Sequence, residues 1–340
     1  MSAPTLLTVI LNWRTPQMTL KAAEAAAREM AGIDGQIVIV DNDSGDGSFA
    51  QMRDALAAAD WTENHAGPPV QVVQSGHNGG FGAGNNFGIR HGLAQRDFDF
   101  VYILNSDAFP DAGSLRALMD HLTHTPTCGF AGSYIHGEDG IPHLTAFRFP
   151  SIWGALEGAA RIGLISRLLH RHIVPLPIPA ETTRVDWLAG ASIMMRRAVL
   201  EEIGLFDERF FLYFEETDLC LRARRAGWHT DYVRSSAVTH IGSVSTGMKQ
   251  WQRIPQYWLD SRLYYFRKNH GRLSAALATL AHLVGHLLWQ LRRLIGRKPA
   301  RDPHLFGWDM TRHYLRALVQ RTPPASHQTP TVPLRKEAKS

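Results

Sequence analysis

Val101-Tyr102-Ile103-Leu104 is a run of four apolar, β-favouring residues with no polar alternation. Such a run reads as a strand buried on both faces, the pattern of a parallel sheet covered by helices on either side. It stops at Asn105-Ser106-Asp107, and in open α/β sheets ligands bind at the carboxyl ends of the strands. A carboxylate beside an amide oxygen suits a divalent cation shared with phosphate oxygens. Asp107 equally suits the cap of a helix beginning near Pro110.

The surrounding chain keeps the same rhythm. Leu6 to Leu11 reads as a buried strand, the Ala-rich Thr19 to Met30 as a returning helix, and Gln36 to Val40 as a second strand. This order predicts right-handed βαβ crossovers and a Rossmann-like sheet. Asp41 closes its strand as Asp107 does, where a carboxylate can accept hydrogen bonds from a nucleobase or ribose hydroxyl; the Asp41 to Ser48 segment is equally a plain turn-rich loop. Val70 to Gln74 gives a third strand. The glycine and asparagine cluster after it, including Asn78, Gly79, Gly80 and Asn85, is expected to open a helix at about Ala83. Free backbone N–H groups and the helix dipole there suit a diphosphate, although neither the dinucleotide spacing nor a P-loop lysine is present.

Helix Ala112 to Leu122 and strand Gly129 to Tyr134 complete the first half, and the Pro-, Gly- and His-rich residues 136–183 read as an insertion forming a mobile acceptor loop or lid. Next come Trp187, which stacks on a sugar or fills the core, and Gly190 and Ala191, which permit close approach of a ligand or tight packing. An aromatic run, Phe210 to Phe214, then delivers Glu215, Glu216 and Asp218 to the first turn of a helix. The macrodipole favours acids there, and an ionised carboxylate in an aromatic-lined site is what a general base requires. Charge decoration of a helix start, with Asp218 paired to Arg222, is the competing account. Downstream, Asp231 to Val233 and Ala237 to His240 look like two short strands, the second ending in a histidine able to ligate a metal.

In their order and spacing, Leu11-Asn12-Trp13, Val40-Asp41-Asn42, Asn78-Gly79-Gly80-Phe81, Asn105-Ser106-Asp107, Trp187-Leu188-Ala189-Gly190, Phe214 to Leu219 and Thr239-His240 resemble the inverting family 2 glycosyltransferases, especially bacterial rhamnosyltransferase-like members. The resemblance covers roughly residues 5–270. It implies an α/β GT-A fold and transfer of a sugar, L-rhamnose from dTDP-rhamnose as first guess, from a nucleotide donor to a glycan or lipid-linked acceptor in cell-surface polysaccharide synthesis. By it, Asp41 reads the nucleobase, and Asn12, Asn78, Gly79, Gly80, Asn85, Asn105, Trp187 and Gly190 belong to the substrate pocket. Asp107 matches the last Asp of the DxD element and binds Mg²⁺ or Mn²⁺ with help from His240. Glu216 takes the position of the general base, with Glu215 and Asp218 orienting donor or acceptor. Asn105 replaces the first Asp of DxD, and Glu216 stands where Asp is common. A sugar-nucleotide nucleotidyltransferase would need an activating basic residue in a glycine-rich N-terminal loop, where only Arg14 is offered. A silent nucleotide-sugar-binding scaffold is the remaining alternative.

The net charge of +5 is concentrated in Arg161 to Arg171 and after Arg262, which favours an anionic partner; lipid headgroups fit better than nucleic acid, for which no recognisable motif is present. Cys128 and Cys220 lack CxxC spacing, so no disulfide framework or zinc site is indicated. With no secretory signal and no apolar run long enough to span a bilayer, a cytoplasmic, soluble or peripheral protein is expected. Residues 271–320 read as a basic helical extension, its Leu273 to Leu291 helix either a membrane-surface anchor or a helix packed on the catalytic domain 1–270, and residues 321–340 as a disordered tail.

Overall fold

The structure is a computed structural model that describes residues 3–58, 67–242, 251–300 and 302–319. Its first half runs β1 (Leu6–Asn12), α1 (Pro16–Glu29), β2 (Gly35–Asp41), α2 (Ser48–Ala57), β3 (Val70–Gln74), α3 (Gly80–Gln95), β4 (Phe100–Asn105), β5 (Ala108–Pro110), α4 (Ser114–His124) and β6 (Cys128–His136). The second half adds β7 (Ala146–Phe147), α5 (Ile152–Ala160), α6 (Gly163–Leu168), β8 (Thr183–Val185), β9 (Trp187–Leu188), β10 (Ser192–Arg196) and α7 (Arg197–Ile203). It closes with α8 (Glu215–Arg225), β11 (His229–His240), α9 (Gln256–Ile295) and α10 (Phe306–Val319).

The main sheet has the order β3-β2-β1-β4-β10-β6-β11-β5, with β8 also paired to β11. Strands β3, β2, β1 and β4 are parallel; β10 runs antiparallel between β4 and β6, so the sheet is mixed. Alternation along the central strands splits the core into two layers. Leu6, Ile10, Ile37, Ile39, Tyr102 and Leu104 face α1 and α4, while Leu7, Val9, Val38, Val40, Val101 and Ile103 face the side covered by α3 and α8. Both faces are therefore dry, as the unalternated runs require.

Helix α3 lies close against β1 because Gly84, Gly88 and Gly92 face it at four-residue spacing. A Cβ on each would come within 2.4, 2.5 and 2.5 Å of Leu11, Val9 and Leu7 respectively. These glycines serve helix-to-sheet packing and not anion binding. The helix also begins at Gly80, three residues before the expected start at Ala83.

Two further expectations are corrected. Residues 108–110 form edge strand β5, whose Pro110 pairs with Val238, and the next helix starts only at Ser114, so Asp107 caps no helix near Pro110. The two short strands expected at 231–233 and 237–240 are one strand, β11, whose register against β6 shifts between Val233 and Ala237.

At the C-terminal end, α9 is broken at Gly271, where φ is 85°. Its second half packs on α5 through small residues: a Cβ at Gly285 would stand 2.6 Å from the Leu156 carbonyl oxygen. Ala275, Ala278 and Trp289 are buried on that side. The opposite side, Leu273, Leu277, Leu280, Val284, Leu287, Leu291 and Leu294, is exposed. Among the described residues, no helix is long and apolar enough to cross a membrane. Residues 321–340, expected to be disordered, lie outside the described residues.

Candidate active site

The carboxyl ends of β1, β2 and β4 lie side by side, with Asn12 opposite Asp41 and Leu11 opposite Asn105. Over this edge sits a cavity of about 930 Å³, within the size of a small-molecule site. Asn78, Gly80, Asn105, Asp107, Trp187, Gly190, Glu215, Glu216 and His240 all line it. Five separate segments of sequence thus meet in one place.

Asn12, Asp41, Gly79, Asn85 and Asp218 are not part of the cavity wall. Asp41 is buried and accepts from Asn12 Nδ2 at 2.8 Å and from Ser44 Oγ at 2.6 Å. Asn12 Oδ1 in turn accepts from Thr19 Oγ1 at 2.7 Å, so this pair pins the β1 and β2 ends to α1. Asn85 donates to the Phe81 carbonyl at 3.0 Å within α3. Asp218 is fully buried, accepting from Arg222 Nε at 2.9 Å, Lys268 Nζ at 2.7 Å and Asn269 Nδ2 at 2.8 Å. It anchors α8 to α9 beneath the cavity.

The start of α3 is more occupied than its glycines suggest. The Gly80 amide donates to Asn78 Oδ1 at 3.0 Å, and the Phe81 amide to the Phe211 carbonyl at 2.9 Å. Asn42 Nδ2 also donates to Asn78 Oδ1, at 2.9 Å. The expectation of a free row of amides is corrected for these two positions, and the Phe81 bond locks the aromatic segment to α3.

That segment delivers the acids under strain. Tyr213 and Phe214 have φ of 71° and 70°, left-handed values uncommon for aromatic residues, and α8 begins at once with Glu215. Burial pushes the Glu216 carboxyl up to about 7, against hydrogen bonds from its own and the Gly190 backbone. Burial, followed by the neighbouring Glu216 charge, drives Glu215 well above the ordinary range. Oε2 of each lacks a hydrogen-bond partner among the described residues. With Glu215 held neutral, Glu216 is the group that ionises near neutral pH.

Across the cavity, His240 Nε2 lies 3.1 Å from Asp107 Oδ1 and 3.5 Å from Asn105 Nδ2. The Ile241 amide donates to the Asp107 carbonyl at 3.1 Å, which fixes the end of β11 against the end of β4. Residues 243–247 of the loop that His240 opens lie outside the described residues. Trp187 stacks on Phe147 at 4.1 Å between ring centroids and donates to the Arg148 carbonyl at 2.9 Å, while still lining the cavity. Trp13, Asn42, Phe81, Ser106, His143, Tyr213 and Tyr257 also line it and were not singled out as site residues. Trp13 and Ser106 adjoin residues that were, and that adjacency at a strand end was the available signal.

The chain matches the model of the family described as "Glycosyltransferase like family 2" over residues 4–258. It is 28% identical over 238 residues to N-acetylglucosaminyl-diphospho-decaprenol L-rhamnosyltransferase of Mycobacterium tuberculosis, covering 64% of this chain and 76% of that one. It is 27% identical over 281 residues to the low-salt glycan biosynthesis hexosyltransferase Agl10 of Haloferax volcanii, covering 80% and 81%. Among solved structures, the mannosyltransferase PcManGT from Pyrobaculum calidifontis, in complex with GDP-Man and Mn²⁺, superposes with a TM-score of 0.56 at 13% identity, covering 94% of this chain and 82% of that one.

Proposed function

Because the chain belongs to glycosyltransferase family 2, we propose that it transfers a sugar from a nucleotide donor to a glycan or lipid-linked acceptor with inversion at the anomeric carbon. L-Rhamnose from dTDP-rhamnose is the first donor to test, in line with the rhamnosyltransferase relative and its diphospho-decaprenol acceptor. The reading is carried by the convergence of Glu216 on one wall and Asp107 with His240 on another wall of the same cavity.

The donor lies with its diphosphate at the strand ends and its sugar against the aromatic wall of Trp187, Tyr213 and Tyr257. Ionised Glu216 accepts the proton of the acceptor hydroxyl as that oxygen bonds to the anomeric carbon. The bond from anomeric carbon to phosphate oxygen breaks on the opposite face, and its electron pair leaves on the nucleoside diphosphate. Asp107 and His240, beside Asn105, are the residues that would hold Mg²⁺ or Mn²⁺. Their oxygen and imidazole donors, 3.1 Å apart, fit either ion. When bound, the ion neutralises charge on the diphosphate.

On this reading a lipid-linked acceptor brings the protein to an anionic membrane surface on the cytoplasmic face. The exposed stripe on α9 is flanked by Arg272 at one end and by Arg292, Arg293, Arg297 and Lys298 at the other, with no acidic residue between Asp260 and Asp302. An apolar face with basic ends complements anionic headgroups.

Ligand-detected NMR with a panel of dTDP-, UDP- and GDP-sugars, with and without Mn²⁺, tests the donor site. One donor whose binding strengthens with Mn²⁺ and is lost in Asp107→Ala is the expected result. Absence of binding across the panel overturns the transferase reading.

A further inference from the structure

A second cluster of ligand-type side chains lies at the other end of the sheet. Cys128 and His229 are paired residues at the start of the parallel strands β6 and β11, and Asp231 follows two residues on, its side chain on the same face as His229. Helix α4 covers that face and brings His121 onto it. His121 Nε2 is 2.8 Å from Asp231 Oδ2, and His229 Nε2 is 3.4 Å from the same oxygen. The ligand atoms of His121, Cys128 and Asp231 all lie within 4.8 Å of one another, and among the described residues no other three such side chains gather this closely. His240 stands at the far end of β11, roughly 35 Å along the strand from His229, so the cluster is separate from the candidate active site.

We infer that His121, Cys128 and Asp231 form a zinc site that clamps α4 to β6 and β11, with His229 standing beside it against Asp231.

The donor set is one thiol, one imidazole and one carboxylate, donor types that zinc takes, with the His229 imidazole against the carboxylate. One oxygen of Asp231 stands within reach of both imidazoles. Cys128 is buried, its Sγ 3.2 Å from the Phe130 carbonyl and also beside Asp231. On binding, the thiol proton passes to solvent as the Sγ–zinc bond forms. Side-chain exposure of 19% at His121, 10% at Asp231 and 12% at His229 leaves a route for entry. Arg196 donates to the Cys128 carbonyl at 3.3 Å, and Arg184 is the other cation facing His229. Thiolate and carboxylate together balance the two positive charges of the ion. Sequence spacing hid the site, since its ligands come from three elements and contain no CxxC pair.

The test uses the full chain, stripped with a chelator and titrated with zinc alone. The expected result is one zinc per chain, held equally by wild type and Asp107→Ala, with affinity at least tenfold lower in Cys128→Ser and in His121→Gln. Zinc should raise the wild-type Tm by several degrees. Cobalt substitution should give thiolate-to-metal charge-transfer absorption that Cys128→Ser abolishes. Failure of wild type and Asp107→Ala to hold one zinc per chain overturns the proposal, as does a zinc that both cluster variants hold as tightly as wild type. If the variants do not fold, a wild-type cobalt spectrum without charge transfer overturns it equally.

Discussion

Lys268 Nζ lies 2.7 Å from Oδ2 of Asp218, so a residue of α9 completes the charge pairing of an acid in the first turn of α8. Asp218 is fully buried and also receives Arg222 and Asn269. The last acid of the sequence cluster is therefore a foundation for the two that line the cavity, Glu215 and Glu216.

Asp218→Ala removes the shared partner of Arg222 and Lys268, although Lys268 keeps Asp207 at 2.8 Å and Arg222 keeps the Ile203 and Leu205 carbonyls. A loss of about 1.5–3 kcal/mol of stability is expected, the range for lost hydrogen bonds to a charged group. Lys268→Ala leaves Asp218 with Arg222 and Asn269, and should cost about 1–2 kcal/mol. Denaturant titration measures both. Asp218→Ala with wild-type stability and normal donor binding would contradict the placement.

Glu216 controls the pH response in two opposite senses. As the general base it must be ionised, so kcat should rise with pH and level off above about 7. Glu216→Gln should reduce kcat by about 10²–10⁴-fold and leave donor binding intact. Stability runs the other way. A carboxyl whose folded value is raised holds its proton longer in the native state, so native stability falls as pH climbs from its unfolded value to about 7 and is then constant. The side chain is half-buried and faces the cavity, which brings the expected loss to about 1–3 kcal/mol. Melting curves of wild type and Glu216→Gln across that window should converge at low pH and separate above neutrality.

The architecture and the principal acids were legible for a plain reason. Buried parallel strands leave unalternated apolar runs, and their ends, Asp41 and Asp107, must occur where the runs stop. The roles within the glycine-rich helix were less legible. Phosphate binding and close packing both call for glycine, and only the register of Gly84, Gly88 and Gly92 on β1 separates them. Asp41 and Asp218 looked like site residues because a carboxylate at a strand end or in a first helical turn reads the same whether it faces a ligand or, as here, Ser44 or Lys268. The aromatic wall was hidden for a different cause: Tyr257 and His143 arrive from segments far in sequence from Asp107 and Glu216.

Gly80 tests the coupling of α3 to the aromatic segment. Its φ is 87°, and a Cβ there would fall 1.8 Å from the Phe211 carbonyl oxygen, which is itself held by the Phe81 amide. Gly80→Ala must therefore push backbone away from backbone. About 2–4 kcal/mol of lost stability is expected, with weaker donor binding, because the turn at Tyr213 and Phe214 loses its support. Gly113→Ala is the control. It has a similar φ of 80° but no atom within 4 Å of the added Cβ, so it should show only the conformational cost, about 1 kcal/mol. Equal destabilisation by the two would remove the steric argument.

The α9 stripe tests the membrane reading. Leu273, Leu277, Leu280, Val284, Leu287, Leu291 and Leu294 recur at alternating spacings of four and three, a pattern shared by coiled-coil seams and interfacial helices. Charge at the flanking positions separates the two. In a coiled coil, acidic and basic residues beside the seam set the pairing, whereas here Ser274, Ala276, Ala281, Leu283, Leu288 and Gln290 flank it without charge. The basic residues stand instead at the helix ends, where they reach headgroups. Co-sedimentation with vesicles containing anionic lipid should therefore capture the protein, and purely zwitterionic vesicles should capture far less. Replacing Arg292, Arg293, Arg297 and Lys298 by Gln should weaken capture by about 10³-fold, near 1 kcal/mol per basic residue, with the loss mimicked by high salt. Leu280→Gln with Leu287→Gln should weaken it at any salt concentration. A protein that ignores anionic vesicles but sediments as a dimer dissociated by the two leucine substitutions would assign the stripe to a second copy of the chain.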